Sequence, residues 1–171
     1  MMNHLIRLHN PSQSHWEMKQ MLHILKQHNP ERILEIGVHM GGSIKLWRDI
    51  LGPSWLWGID SNPITDFKNI ITGKSQEPET YQKTRTLLDK KELDFLFIDG
   101  GHLYKEVSTD FLLYSTLVRS GGIIGFDDII LEGNHASEVY KFWNEIKKEY
   151  RHIEIWDGTP SGTGAGLIWM P

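Results

Sequence analysis

Acidic residues stand at or directly behind four short apolar runs of this chain. Glu35 lies within Ile33-Leu34-Glu35-Ile36, Asp60 follows Trp57-Gly58-Ile59, Asp99 follows Phe95-Leu96-Phe97-Ile98, and Asp127-Asp128 follow Ile123-Ile124-Gly125-Phe126. Carboxylates collected at one rim can grip hydroxyl groups or hold a hard cation. Asp99 and Asp127 are 127 − 99 = 28 residues apart, the length of one strand–helix–strand unit. On neighbouring strands, about 4.8 Å apart, their side chains can reach a common ion. Asp99, Asp127 and Asp128 together would repel one another without a cation between them. All-oxygen ligation suits Mg²⁺, with Mn²⁺ or Ca²⁺ as alternatives, rather than zinc or copper. A plainer account is also open: Asp99-Gly100 is a common turn start, and Asp127-Asp128 can cap the following segment.

The second group of interest is Glu35-Ile36-Gly37-Val38-His39-Met40-Gly41-Gly42-Ser43. Glycines let a strand turn sharply into a helix and let a ligand approach the backbone, whose free N–H groups attract an anion or carboxylate. Asp60 follows Gly37 by 60 − 37 = 23 residues, near the ~20 expected of an acid that holds a ribose diol. The spacing departs from the GxGxxG of dinucleotide binders, because His39 stands where the second glycine would admit a pyrophosphate. That favours a nucleoside without a diphosphate; a strand–turn–helix corner with an unrelated acid is the alternative. His102 follows Asp99 by three residues and reads either as a general base near neutral pH or as an exposed loop histidine. The other histidines show no ligand spacing.

Positioning these groups requires strands that alternate with helices. Ser14-His15-Trp16-Glu17 fits a capping box, and Met18, Met21, Leu22 and Leu25 continue at helical spacing until Asn29-Pro30. Strands are predicted over 32–38, 55–60, 68–73, 93–99 and 123–127, and two more over 153–156 and 166–169. Between them, Ile44, Trp47 and Leu51 predict one helix, and Pro78 with Tyr81, Arg85 and Leu88 a second. Leu103, Val107, Phe111, Tyr114 and Val118 predict a third, stopped by Gly121-Gly122. Val139, Phe142, Trp143, Ile146 and Tyr150 predict a fourth, capped by Asn134. This alternation implies an α/β fold: a Rossmann-like three-layer sandwich with a mostly parallel seven-stranded sheet and an antiparallel final strand. Residues 1–171 read as a single domain, with 1–29 an N-terminal helical segment packed on it.

Composition narrows the chemistry. The 171 residues contain no cysteine, which excludes disulfides, thiolate zinc sites, iron–sulfur clusters and cysteine nucleophiles. Lys+Arg 18 against Asp+Glu 22 gives 18 − 22 = −4, and there is no basic run, so no nucleic-acid partner is expected. No stretch resembles a signal peptide or a membrane span, which makes a cytoplasmic location the default expectation and a membrane partner unexpected.

On these residues the chain resembles the class I S-adenosylmethionine-dependent methyltransferases. Within them it is similar to the small-molecule O-methyltransferases grouped with cephalosporin-hydroxylase-like and macrocin O-methyltransferase-like proteins. The likeness rests on 35–43, on Asp94-Phe95-Leu96-Phe97-Ile98-Asp99-Gly100-Gly101-His102, on Gly121-Gly122, on Phe126-Asp127-Asp128 and on the terminal Gly-rich loop and strand. The resemblance implies that Glu35, Gly37, Gly41, Gly42 and Ser43 surround the methionine part of the cofactor and that Asp60 holds its ribose. It puts Gly73 and Ser75, in a loop where Lys74 replaces the family's acid, near the adenine. Asp99 would border the cofactor and, with Asp127 and Asp128, ligate Mg²⁺ or another hard divalent cation; His102 matches a proposed catalytic base.

The implied reaction is divalent-metal-dependent O-methylation of a hydroxyl on a small molecule or sugar. The alternatives are a non-catalytic S-adenosylmethionine-binding module and an NAD-dependent Rossmann oxidoreductase. The family's longer segments over the acceptor have little counterpart here, which leaves room for a homo-oligomer in which a second subunit completes the pocket.

Overall fold

A computed structural model describes residues 1–130, 137–159 and 163–171. Its centre is a seven-stranded sheet in the order β3-β2-β1-β4-β5-β7-β6. The strands are β1 (Arg32–Ile36), β2 (Trp55–Asp60), β3 (Ile70–Thr72), β4 (Leu93–Ile98), β5 (Val118–Phe126), β6 (Arg151–Ile155) and β7 (Ala165–Trp169). The first five pair in parallel, whereas β7 runs antiparallel to both β5 and β6. The expected class is correct.

Alternation along the strands divides the core in two. Ile33, Phe95, Phe97, Ile123 and Leu167 face Met18, Met21, Leu22 and Leu25 of α2 (His15–His28), Ile6 of α1 (Met2–His9), and Ile44 of α3 (Gly42–Leu46). Leu34, Ile36, Leu96, Ile98, Ile124 and Phe126 face the other way. They meet Leu88 of α4 (Pro78–Leu88), Val107, Phe111 and Tyr114 of α5 (Tyr104–Tyr114), and Phe142 and Trp143 of α6 (Val139–Ile146). A parallel sheet covered on both faces has no solvated side, which is why β4 reads as an almost continuous apolar run.

The capping box that opens α2 forms as expected: Ser14 Oγ accepts from the Glu17 N–H, and Glu17 Oε2 accepts from the Ser14 N–H. Several boundaries differ from the sequence-based expectation. The segment 1–29 contains two helices; α1 buries Ile6 fully and packs Met2 and Leu5 against the same core. The predicted helix over Ile44–Leu51 is α-helical only to Leu46, after which Trp47–Leu51 widens into a π turn. Val118 begins β5 opposite Leu93 instead of ending α5, because a 3₁₀ turn at Ser115–Leu117 already stops the helix. Gly121-Gly122 accordingly lies within β5. Tyr150 is outside α6 yet still meets Phe111, with ring centroids 6.1 Å apart, so its helical spacing reflected a shared burial rather than a shared helix. The predicted Asn134 cap lies outside the described residues. Among the described residues, no helix is long and apolar enough to cross a membrane.

Candidate active site

The strand order reverses between β1 and β4, and an open cleft of about 650 Å³ lies over their carboxyl ends. Gly37 makes this corner possible. Its φ is +89°, and a Cβ there would stand 1.9 Å from the Asp99 carbonyl oxygen. Only glycine allows the ends of β1 and β4 to come so close. Gly41, with φ +78°, then opens α3.

Of the residues expected to hold the methionine part, Gly37, Gly42 and Ser43 line the cleft. Glu35 and Gly41 do not. Glu35 is fully buried beneath α3, where it accepts from Ser43 Oγ at 2.6 Å and from the Trp47 indole N–H. Burial pushes the Glu35 carboxyl up to about 8, against the opposing pull of these two hydrogen bonds. Glu35 therefore anchors the loop from below and does not line the cleft, where the sequence had placed it.

Asp60 lies on the cleft wall. Its Oδ2 accepts from the N–H groups of Val38 and His39, at 2.9 and 2.7 Å, and its Oδ1 from the Asn62 N–H. It thus fixes the glycine-rich loop from the wall of the cleft. Gly73 and Ser75 line the far end of the cleft with Lys74 and Gln76. Behind them the fully buried Asp110 accepts from Gln76 Nε2 at 2.8 Å, and the Tyr114 hydroxyl donates to the Ser75 carbonyl.

The aspartates are only partly assembled as the sequence suggested. Asp99 and Asp127 are brought together, and one amide joins them: Gln13 Nε2 donates to Asp99 Oδ2 at 2.7 Å and to Asp127 Oδ2 at 2.9 Å. Burial, reinforced by the charge of Asp127, raises the Asp99 carboxyl well above its ordinary range. Burial, reinforced by Asp128, raises Asp127 to about 7. Asp128, at φ +60°, turns instead toward the exposed His102 ring, with Oδ2 3.4 Å from Nε2. Among the described residues no three His, Asp or Glu side chains converge as a ready-made ligand set.

Sequence reasoning missed Gln13, Glu17, Gln76 and Asp110. Glu17 was recognised as a cap, but its second oxygen also accepts from the Gly164 N–H beside the cleft. Gln13 precedes the capping box by one residue and carries no periodic signal.

A cleft at the reversal of strand order, with a glycine-turned loop and an acid on its wall, is the place where Rossmann-like sheets bind their ligands. The chain belongs to the methyltransferase family: residues 34–129 match the family model described as "Methyltransferase domain". It is 27% identical over 112 residues to the 8-demethyl-8-(2-methoxy-alpha-L-rhamnosyl)-tetracenomycin-C 3'-O-methyltransferase of Streptomyces olivaceus, covering 60% of this chain and 29% of that one. It is 56% identical over 110 residues to an uncharacterised protein of Acanthamoeba polyphaga mimivirus, covering 56% of this chain and 50% of that one. The match thus spans half or less of either relative. Among solved structures, the methyltransferase MycE in complex with Mg, SAH and mycinamycin VI superposes with a TM-score of 0.71 at 16% identity, covering 99% of this chain and 53% of that one. The family match goes to methyltransferases, against the dehydrogenase alternative.

Proposed function

We propose that this chain is an S-adenosylmethionine-dependent O-methyltransferase that acts on a hydroxyl of a small molecule with the help of a hard divalent cation. The observation that carries this reading is the pairing of Asp99 with Asp127 in the one cleft that His102, Asp60, Gly73 and Ser75 also line. Relatives point the same way, since the Streptomyces protein is named for a sugar O-methylation and MycE was solved with Mg and SAH.

The donors fit Mg²⁺. They are carboxylate oxygens, and Asp127 Oδ1 is buried without a hydrogen-bond partner. Asp99 and Asp127 would hold the cation, joined by Asp128 after a change of rotamer. When bound, it would lower the charge cost of an alkoxide and fix the acceptor oxygen. The chain's own residues do the rest. Gly37, Gly42 and Ser43 would seat the amino-acid part of the cofactor, Asp60 its ribose, and Gly73 and Ser75 its adenine. His102 takes the hydroxyl proton as the oxygen–methyl bond forms and the sulfur–methyl bond breaks, the electron pair remaining on sulfur. Residues 1–171 would act as one cofactor-binding unit, with 1–29 folded against it.

Calorimetric titration with S-adenosylmethionine, with and without Mg²⁺, followed by an acceptor screen for the mass gain of one methyl, tests this reading. Binding and a methylated hydroxyl are expected. Cofactor binding with no acceptor and no response to Mg²⁺ would leave only the non-catalytic module.

A further inference from the structure

We propose that Gln13 is a ligand of the divalent cation, supplying its amide oxygen between Asp99 and Asp127; this rests on the metal-assisted reading above. Gln13 lies in the connection between α1 and α2, and its side chain is almost wholly buried, 4% exposed. Its Nε2 spends both hydrogens on the two carboxylates, as a weak substitute for a positive charge. Its Oε1, by contrast, is buried with no partner, and so is Asp127 Oδ1. A buried acceptor left unsatisfied costs about 1–3 kcal/mol, and here two are found on directly bonded residues. Two lone-pair donors beside two carboxylates lack an electron-pair acceptor, and a cation is one.

Half a turn about the last side-chain torsion exchanges Nε2 and Oε1 without changing the shape of the amide. In the metal-free protein the N–H edge faces the carboxylates; with a cation present the oxygen edge does. The backbone that carries Gln13 is held in place. Gly42 packs so tightly on the preceding turn that a Cβ there would stand 2.7 Å from Pro11 Cα.

The test compares the wild-type chain with Gln13→Leu and Gln13→Glu by Mg²⁺ calorimetry, with S-adenosylmethionine affinity measured in the absence of metal. Wild type should bind Mg²⁺. Gln13→Leu should weaken that binding at least about ten-fold and leave metal-free cofactor affinity unchanged, whereas Gln13→Glu should retain or tighten it. An independent readout needs no variant: in ¹⁵N NMR spectra the Gln13 side-chain NH₂ pair should shift on adding Mg²⁺ as it leaves the carboxylates. If wild type binds Mg²⁺ but Gln13→Leu binds it equally or more tightly, or the NH₂ pair stays still, Gln13 is a plug or a water-bridged neighbour and the proposal is overturned. If wild type binds no Mg²⁺, the metal-assisted reading fails and takes this proposal with it.

Discussion

Asp99 and Asp127 are neighbours because Ile98 and Phe126, which precede them, are register partners on β4 and β5. The pairing continues one step further, as the Asp127 N–H donates to the Ile98 carbonyl at 3.2 Å. Parallel pairing in register places their side chains at one rim, and burial there makes charge on both unfavourable unless a positive group intervenes. Gln13 supplies a hydrogen-bonding edge to both. In the proposed reaction this small unit would hold the cation.

In the proposed reaction His102 would remove the acceptor proton. Positioned bases typically contribute 10²–10⁴-fold. His102→Ala is expected to lower methyl-transfer turnover by about that factor, with S-adenosylmethionine affinity by calorimetry unchanged. Unaltered turnover would remove His102 from the mechanism.

Glu35 sets a pH dependence of stability. Its folded-state value, about 8, lies above the ordinary carboxyl range, so the folded chain holds a proton that the unfolded chain has lost between about pH 4.5 and 8. This contribution to stability is fully present below pH 4.5 and is lost as pH rises toward 8. Asp110, raised to about 6 chiefly by burial, acts in the same direction over a narrower window. Denaturant unfolding of the metal-free chain should therefore show lower stability at pH 8 than at pH 5.5, by on the order of a few kcal/mol. In Glu35→Gln that slope should be clearly smaller; an equal slope would show that Glu35 is ionised throughout.

Gly37→Ala tests the corner between β1 and β4. A methyl group 1.9 Å from the Asp99 carbonyl, on a residue with positive φ, cannot be accommodated without separating the strand ends. The expected result is a loss of at least about 3 kcal/mol of stability or failure to fold, read from urea unfolding or from soluble yield. A variant with wild-type stability would mean that the corner relaxes easily.

In the proposed cofactor pose Asp110 would be a positioning residue for the adenine. It does not line the cleft, but it holds Gln76 and, through it, Ser75. Asp110→Ala should weaken S-adenosylmethionine binding about ten-fold, consistent with losing a hydrogen bond to a charged group, about 1.5–3 kcal/mol. Turnover at saturating cofactor should be nearly unchanged. A fall in turnover with unchanged affinity would place Asp110 in the chemistry instead.

The strands, their order of burial and the acids behind them were legible in the chain itself, because a strand covered on both faces must be an apolar run and its polar residues must fall at its ends. Gly37, Asp60, Asp99 and Asp127, placed at strand ends by that logic, line the cleft. The capping box at Ser14 and Glu17 was equally local, being made between residues three apart. Only the folded structure could assign Glu35 to a place beneath the cleft, since whether a strand-end acid faces ligand or core depends on which side the Trp47 indole occupies. Gln13 is the clearest case. Its partners are 86 and 114 residues away, and neither spacing nor periodicity encodes a contact made by a lone polar side chain across the fold. Local sequence determines what backbone each segment adopts and which face it buries; tertiary packing decides which distant groups share the same few ångströms, and there the hydrogen bonds and charges of the site are set.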